Sequence, residues 1–272
     1  MKPKLTWIVQ DNLRQVNDGV DILLSTLDDV GAPVELVKVI PFAEELEPIA
    51  AQDPVIFFGS TSLRELAMKA NRTPGVWFHH HHFAYPRLIR KWGGNLLNAD
   101  SMLTSVGSFL HESRSGFWGP GELLFLRPAN DTKEVTGGVK TIEEWVHEVR
   151  SSIGTRYGCT SDTPIQIAVP KEIGWEWRVF FIGDAPPIGC RTRVNGRLSL
   201  HHDISSDVLE FATRMRDIYR PEPVFVLDVC SVVENGVSTF KIVEPNCFNC
   251  AGLYVCDVRA IVAAVHKYVE SL

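Results

Sequence analysis

Up to residue 70, short apolar runs alternate with stretches whose apolar positions recur at helical spacing. "LTWIVQ" (5–10), "VELVKVI" (34–40) and "VIFFGS" (55–60) predict strands; 12–30, 43–50 and 61–70 predict helices, the middle one short and acidic. Strands separated by helices need crossover connections, so this part predicts a small, mostly parallel sheet in an α/β domain. The turn Gly59-Ser60-Thr61-Ser62 ends the third strand and opens a helix. An ordinary N-cap explains it, and a ligand-facing turn would as well.

From 74 to about 123 the pattern is irregular, with helices predicted over "YPRLIRKW" (85–92) and "ADSMLTSVGSFL" (99–110) and an aromatic tip at "SGFWGPGE". Beyond it, "ELLFLRP", "PIQIAVP", "EWRVFFIG", "PIGCRTRV", "VFVLDVCSVV" and "TFKIVEPN" predict strands, interrupted by helices at 141–153, 205–219 and 257–272. Short turns between adjacent strands imply antiparallel sheets packed by helices, an α+β architecture distinct from the first part. No internal repeat or low-complexity run is present.

At 272 residues and 45% apolar composition the chain can bury one large or two medium cores. A net charge of -6 argues against a broad nucleic-acid surface, while a local basic cleft for phosphate groups stays compatible with it. No stretch approaches the roughly 20 apolar residues of a membrane helix, and "MKPKLTWIVQDNLRQ" lacks an apolar core of signal length, so the expectation is a cytoplasmic protein. Six cysteines without a dense framework are expected to be free thiols.

Two motifs attract attention first. In "FHHHHF", His79, His80, His81 and His82 would share faces alternately in a strand and chelate, or be solvated in a loop. In "KIVEPNCFNCAGLY" (241–254), Cys247 and Cys250 have the spacing of a redox site or half a zinc site, with Cys256 nearby. A single CxxC supplies only one ligand knuckle, and burial of small apolar thiols explains it equally.

The carboxylates carry more. "VFVLDVCSVVENGVSTFKIVEPN" reads as a hairpin turning at Asn235-Gly236, with Asp228 in one arm and Glu244 near the end of the other. Buried carboxylates need a cation or strong hydrogen bonds. A two-residue loop pairs Glu234 with Val237 and hence Asp228 with Val243, putting Asp228 and Glu244 on opposite faces. A three-residue loop over 235–237 instead pairs Asp228 with Glu244 and Val226 with Asn246, a hard-oxygen cluster suited to magnesium. Pairing of these carboxylates with Lys or Arg inside the sheet is the plain alternative.

Cations lie where phosphate chemistry needs them. Arg127 and Lys133 flank a strand end in "FLRPANDTKEVTGG", whose Gly-Gly would let backbone approach a ligand. Arg178 sits in a strand among Phe and Val, and Arg191 and Arg193, two apart, are expected on one face. A strand arginine in such company either lines a cleft, where its fork of donors holds phosphate oxygens, or pairs with Asp228 or Glu176.

Taken together, "LLNADS", "FLRPANDTK", "IQIAVPKEIGWEWRVFFIG", "GCRTR" and "VLDV…KIVEPNCFNCAGLY" resemble the ATP-grasp enzymes, in particular their compact clade marked by an Arg and two Lys. The resemblance implies an ATP-grasp domain over 96–272, with antiparallel lobes at about 96–165 and 166–272, preceded by an α/β domain over 1–95. It implies ATP held between the lobes, Lys133 reaching phosphate, the backbone of Gln166, Ile167, Ala168 and Val169 meeting adenine, and Lys171 as the second lysine. Arg178 would stabilise phosphate charge during transfer, and Asp228, Glu244 and Asn246 would hold Mg2+. The implied activity is an ADP-forming carboxylate–amine ligase acting on small-molecule or peptide-like substrates, with Arg191 and Arg193 expected at the substrate. Phosphoryl transfer to a small molecule, or a zinc- or thiol-binding module built on the C-terminal cysteines, are the alternatives. Two features depart from the family pattern: the glycine-rich loop is reduced to "VTGGVKT", and the ribose-holding acid has only Glu172 to fill it.

Overall fold

The computed structural model describes residues 4–14, 18–40, 44–130, 135–155, 158–234 and 236–272. Lys133 and Asn235 therefore lie outside the described residues. The chain begins with β1 (Thr6–Gln10), α1 (Asp18–Asp29), β2 (Val34–Val37), β3 (Val55–Phe58), α2 (Thr61–Ala70) and β4 (Pro74–Gly75). These four strands form one parallel sheet in the order β2-β1-β3-β4. The acidic helix expected over 43–50 is absent: residues 44–50 are irregular, and Glu35 holds the backbone N–H groups of Ala50 and Ala51 at 2.9 and 2.8 Å. Ser60 is the ordinary N-cap of α2, accepting from the Leu63 N–H at 3.2 Å.

The connecting region carries α3 (His80–Phe83) and α4 (Tyr85–Trp92), then β5 (Met102–Ser105) and α5 (Val106–Glu112) where one helix was expected. Cross-strand pairing with a later strand overrides helix propensity over Met102–Ser105. The second sheet is completed by β6 (Leu123–Pro128), β7 (Gly138–Thr141) and, after α6 (Ile142–Ser152), β8 (Pro164–Ala168), in the antiparallel order β5-β8-β6-β7. Thr141 and Glu144 close a reciprocal capping box that starts α6.

The third sheet, order β11-β10-β9-β12-β13, is wholly antiparallel: β9 (Trp175–Ile182), β10 (Ile188–Val194), β11 (Arg197–His201), then, after α7 (Ser206–Ile218), β12 (Val224–Glu234) and β13 (Val237–Cys247). The final helix is α8 (Val258–Glu270).

Strand alternation divides this sheet's work. Trp177, Val179 and Phe181 pack with Phe225 and Leu227 against α4 and α7. Phe180, Ile182 and Val226 face the other way, against α8 and Trp7 and Phe58 of the parallel sheet. At one end of that second face the apolar residues give way to Glu176, Arg178, Asp228, Glu244 and Asn246, all half-buried. The apolar half of the face packs against the parallel sheet, and the polar half carries the charged residues.

Within the shared core, buried Trp7 donates its indole N–H to Nε2 of His266 at 3.0 Å. Burial lowers the His266 pKa below its ordinary 6.5, with Glu270 opposing. The fold thus favours the neutral ring, so its contribution is complete above 6.5 and lost as pH falls below that value. Urea midpoints measured across that range should decline for the wild type more steeply than for His266→Leu.

Candidate active site

The hairpin of β12 and β13 resolves the register in an unexpected way. Glu234 pairs with Val237, so the loop has two residues, and Gly236 takes a left-handed φ of +78°. The expectation that such a loop separates Asp228 from Glu244 fails, because a β-bulge intervenes. Val229 pairs with Ile242 and Asp228 with Glu244, leaving Val243 as the extra residue. Beyond the bulge Val226 faces Asn246, and Asp228, Glu244 and Asn246 share one face.

Arg178, on the neighbouring strand, is directly opposite Asp228. Its Nε and Nη2 donate to the two carboxylate oxygens at 2.9 and 2.7 Å, and its Nη1 to the Gly252 carbonyl at 3.1 Å. The Tyr254 ring lies 4.9 Å from the guanidinium, on a residue held at φ +50°, a conformation costly for a side chain of that size. Burial works against the Arg178 charge, but the Asp228 carboxylate outweighs it and the guanidinium pKa is raised. The Asn246 amide donates to Asp228 at 2.9 Å, completing a chain of contacts across three strands. Burial raises the nearby Glu176 carboxyl, with Arg193 opposing and Asp228 and Glu244 reinforcing.

The second sheet supplies the facing cation. Arg127, near the end of β6, donates to Glu244 at 2.5 Å and so bridges the two antiparallel sheets. Gly137 makes room for it, since a Cβ there would stand 3.0 Å from that of Arg127. Both carboxylates are thus arginine-paired, the plain alternative raised above. They differ in access: the Asp228 and Arg178 side chains are 15% and 11% exposed, and Glu244 is 30% exposed.

Gln166 of β8 lies opposite both Arg127 and Leu103, on the face away from the α5 and α6 core that takes Ile165 and Ile167. Its side chain is 1% exposed and its Oε1 has no hydrogen-bond partner among the described residues, an acceptor open to an incoming donor. Ala168 pairs with Phe125 on the same face, Val169 is exposed, and Lys171 is bound to Asp100 at 2.5 Å.

Arg191 and Arg193 do not share a face. A bulge between them sets Arg191 opposite Trp177 and Arg193 opposite Glu176. Arg191 stacks on Trp175 at 4.8 Å behind the sheet, and Arg193 stays on the face of Arg178.

The loud motifs resolve structurally. The histidines form no strand: His79 stands in extended chain just before the one-turn helix α3, which holds the other three; His82 binds Glu222 at 2.8 Å and His80 lies 3.3 Å from Glu65. In the CxxC, Asn249 does the joining. Its Nδ2 donates to the Phe57 carbonyl at 2.7 Å, its Oδ1 accepts from the Trp77 N–H at 2.8 Å, and its carbonyl accepts from Gly59 at 2.8 Å. Among the described residues no group of three or more His, Cys, Asp and Glu could hold a metal ion.

Sequence reasoning placed Arg127 at a strand end as a cation for phosphate, without foreseeing its bond to Glu244, and passed over Asn249 and Tyr254. The Arg-Pro pair ending a strand was the available signal for the first; nothing local marks the other two.

This geometry, two carboxylates and an amide in register opposite an arginine-bearing second sheet, agrees with a family model for the ATP-grasp domain, R2K clade family 3, which matches residues 34–265. The chain belongs to the ATP-grasp family. The ATP-grasp fold is also that of the D-cycloserine synthetase DcsG, at TM-score 0.61 and 11% identity over 97% of this chain and 99% of that one. The Bacillus anthracis D-alanine–D-alanine ligase complexed with ATP gives 0.55 and 10% over 99% and 98%. The ligase PsnB complexed with precursor peptide PsnA2 and AMPPNP gives 0.54 and 12% over 98% and 97%. No curated protein matches the sequence. ATP-grasp membership makes ATP-dependent ligation the general chemistry of this chain. Among the described residues no helix is long and apolar enough to cross a membrane.

Proposed function

We propose that this protein is an ADP-forming ligase that activates a carboxylate as an acyl phosphate for attack by an amine or similar nucleophile. The observation that carries the reading is the row Arg178, Asp228, Glu244 across three neighbouring strands, with Asn246 beside it and Arg127 opposite. The donor set suits a hard cation: two carboxylates and an amide oxygen leave room for water and nucleotide phosphates, which is how magnesium is commonly held. Magnesium would neutralise phosphate charge there, bound by Asp228, Glu244 and Asn246. Glu244, the more exposed carboxylate, is the one that can exchange Arg127 for a metal without unburying a charge.

The chain's own residues divide the remaining work. The open face of the second sheet offers apolar Leu103 and Val139 for a purine ring, with the orphaned Gln166 Oε1 as acceptor for an amino group. Arg127 serves the phosphates from this side, and Lys133 is the proposed second cation for them. Arg178, rigidly held and always charged, stabilises the transferring phosphoryl group. Positioning and charge neutralisation suffice, so no side-chain nucleophile is required. Arg193, on the site face, is the proposed anchor for a substrate carboxylate, whereas Arg191 stacks on Trp175 on the other face of the sheet. Relatives of this fold include a D-alanine–D-alanine ligase and a ligase seen with a precursor peptide, so amino acids and peptides are the proposed substrate class. A domain division near residue 95, with lobes meeting near 165, belongs to the same proposal.

Incubation with ATP, magnesium and a panel of amino acids and short peptides should release ADP and free phosphate only when a substrate pair is present. ADP release with the phosphate retained on a small molecule would instead make the protein a phosphotransferase.

A further inference from the structure

The CxxC, bypassed by the nucleotide site, has a setting of its own. All six cysteines are thiols, and five are buried; Cys250 alone is half-buried. Its Sγ lies 3.9 Å from Nη1 of Arg64 and donates to the Cys247 carbonyl at 3.9 Å, so the two cysteines meet within one turn. Arg64 is unusual for a helix arginine: its side chain is 2% exposed, lies 3.6 Å over the Phe78 ring and donates to Glu65 at 3.0 and 2.8 Å. A buried guanidinium beside a partly accessible sulfur is the electropositive setting in which thiols react with oxidants. The other close pair, Cys190 and Cys256, is fully enclosed, at 0% and 6% exposed.

We propose that Cys250 and Cys247 form an oxidation-sensitive dithiol, Cys250 attacking a hydroperoxide and Cys247 resolving the product into a disulfide. In the first step the Cys250 sulfur takes one peroxide oxygen, the O–O bond breaks, and the departing hydroxide leaves as water with the thiol proton, giving a sulfenic acid. In the second, the Cys247 sulfur attacks that of Cys250, the S–O bond breaks, and hydroxide leaves as water with the Cys247 proton. Two thiols supply two electrons, and one hydrogen peroxide becomes two waters.

The location makes the change consequential. Cys247 directly follows Asn246, and its thiol lies 3.8 Å from the Trp77 carbonyl and 3.7 Å from Oδ1 of Asn249, the residue that ties the parallel sheet to this turn. A disulfide draws the Cys247 sulfur out of those contacts and bends the segment that positions Asn246. Oxidation should therefore lower nucleotide turnover reversibly; this consequence rests on the ligase reading, whereas the thiol chemistry does not.

The test treats the full-length wild-type protein with hydrogen peroxide, blocks remaining thiols with N-ethylmaleimide and maps the cysteines by mass spectrometry. The expected result is a Cys247–Cys250 disulfide reversed by dithiothreitol, dimedone labelling of Cys250 in Cys247→Ser, and alkylation of Cys250 slowed about tenfold in Arg64→Gln and restored in Arg64→Lys. Turnover should fall and recover with the disulfide, and in Cys250→Ser it should resist peroxide. Full maleimide labelling of both cysteines after peroxide, or a disulfide mapped to Cys190 and Cys256, overturns the proposal. A Cys247–Cys250 disulfide that leaves turnover unchanged overturns the switch. Absence of turnover in the untreated protein would count against the ligase reading alone, because the mapping is independent of it.

Discussion

Asp228→Ala should cost about 3 kcal/mol of folding stability and abolish nucleotide turnover, two losses with different origins. Removing the carboxylate leaves Arg178, 11% exposed and held otherwise by one carbonyl and a tyrosine ring, as a charge without its counter-ion in a poorly solvated position. Urea unfolding should show a lowered midpoint with an unchanged slope. The double variant Arg178→Met/Asp228→Leu separates the two effects. Two apolar side chains of similar volume restore most of the stability, since neither charge is then stranded, yet turnover stays absent because phosphate and metal both lose a partner. If Asp228→Ala cost less than about 1 kcal/mol, the pair would be behaving as a surface ion pair and the site would be wetter than its burial implies.

Glu244→Gln should do the reverse, cutting turnover about a hundredfold or more while changing stability by only about 1 kcal/mol. Glu244 is 30% exposed, and the amide that replaces it still accepts from Arg127. What it loses is charge, which a magnesium ligand needs and a sheet-bridging hydrogen bond does not. Calorimetry gives a readout independent of turnover: magnesium should strengthen nucleotide binding to the wild type and have little effect on the variant. Retained magnesium dependence in Glu244→Gln would remove this residue from the ligand set.

The contrast between these two carboxylates was only half legible in the chain. That Asp228, Glu244 and Asn246 would form one set followed from strand alternation only for a three-residue loop. The means of bringing them together did not follow: a two-residue loop was expected to part them, and the extra residue turned out to be Val243, inside the strand rather than at its turn. A bulge is chosen by packing across the ladder, where Ile242 must reach the α7 side while Glu244 stays on the other, and a valine in an apolar strand carries no mark of being skipped. The same physics split Arg191 from Arg193, whose spacing of two holds only in an unbroken strand.

Local order, by contrast, was written in the sequence itself. Helix α4 spans the eight residues expected of it, and α6, α7 and α8 fall within one or two residues of the predicted limits, because amphipathic periodicity and capping residues are properties of contiguous chain. Strands β9, β10, β12 and β13 of the third sheet and their antiparallel pairing were likewise legible in alternation and composition. Tertiary structure alone decided β7 and β11, the role of Asn249 and the Arg127–Glu244 bridge. Those depend on partners brought together from far apart, 117 residues in the case of the bridge and 192 for the Asn249 bond to Phe57. No window of sequence contains both ends of such a contact; the packing of α8 with the parallel sheet and the apolar half of the third sheet sets one side of the site, and the Arg127–Glu244 bond joins the second sheet to it.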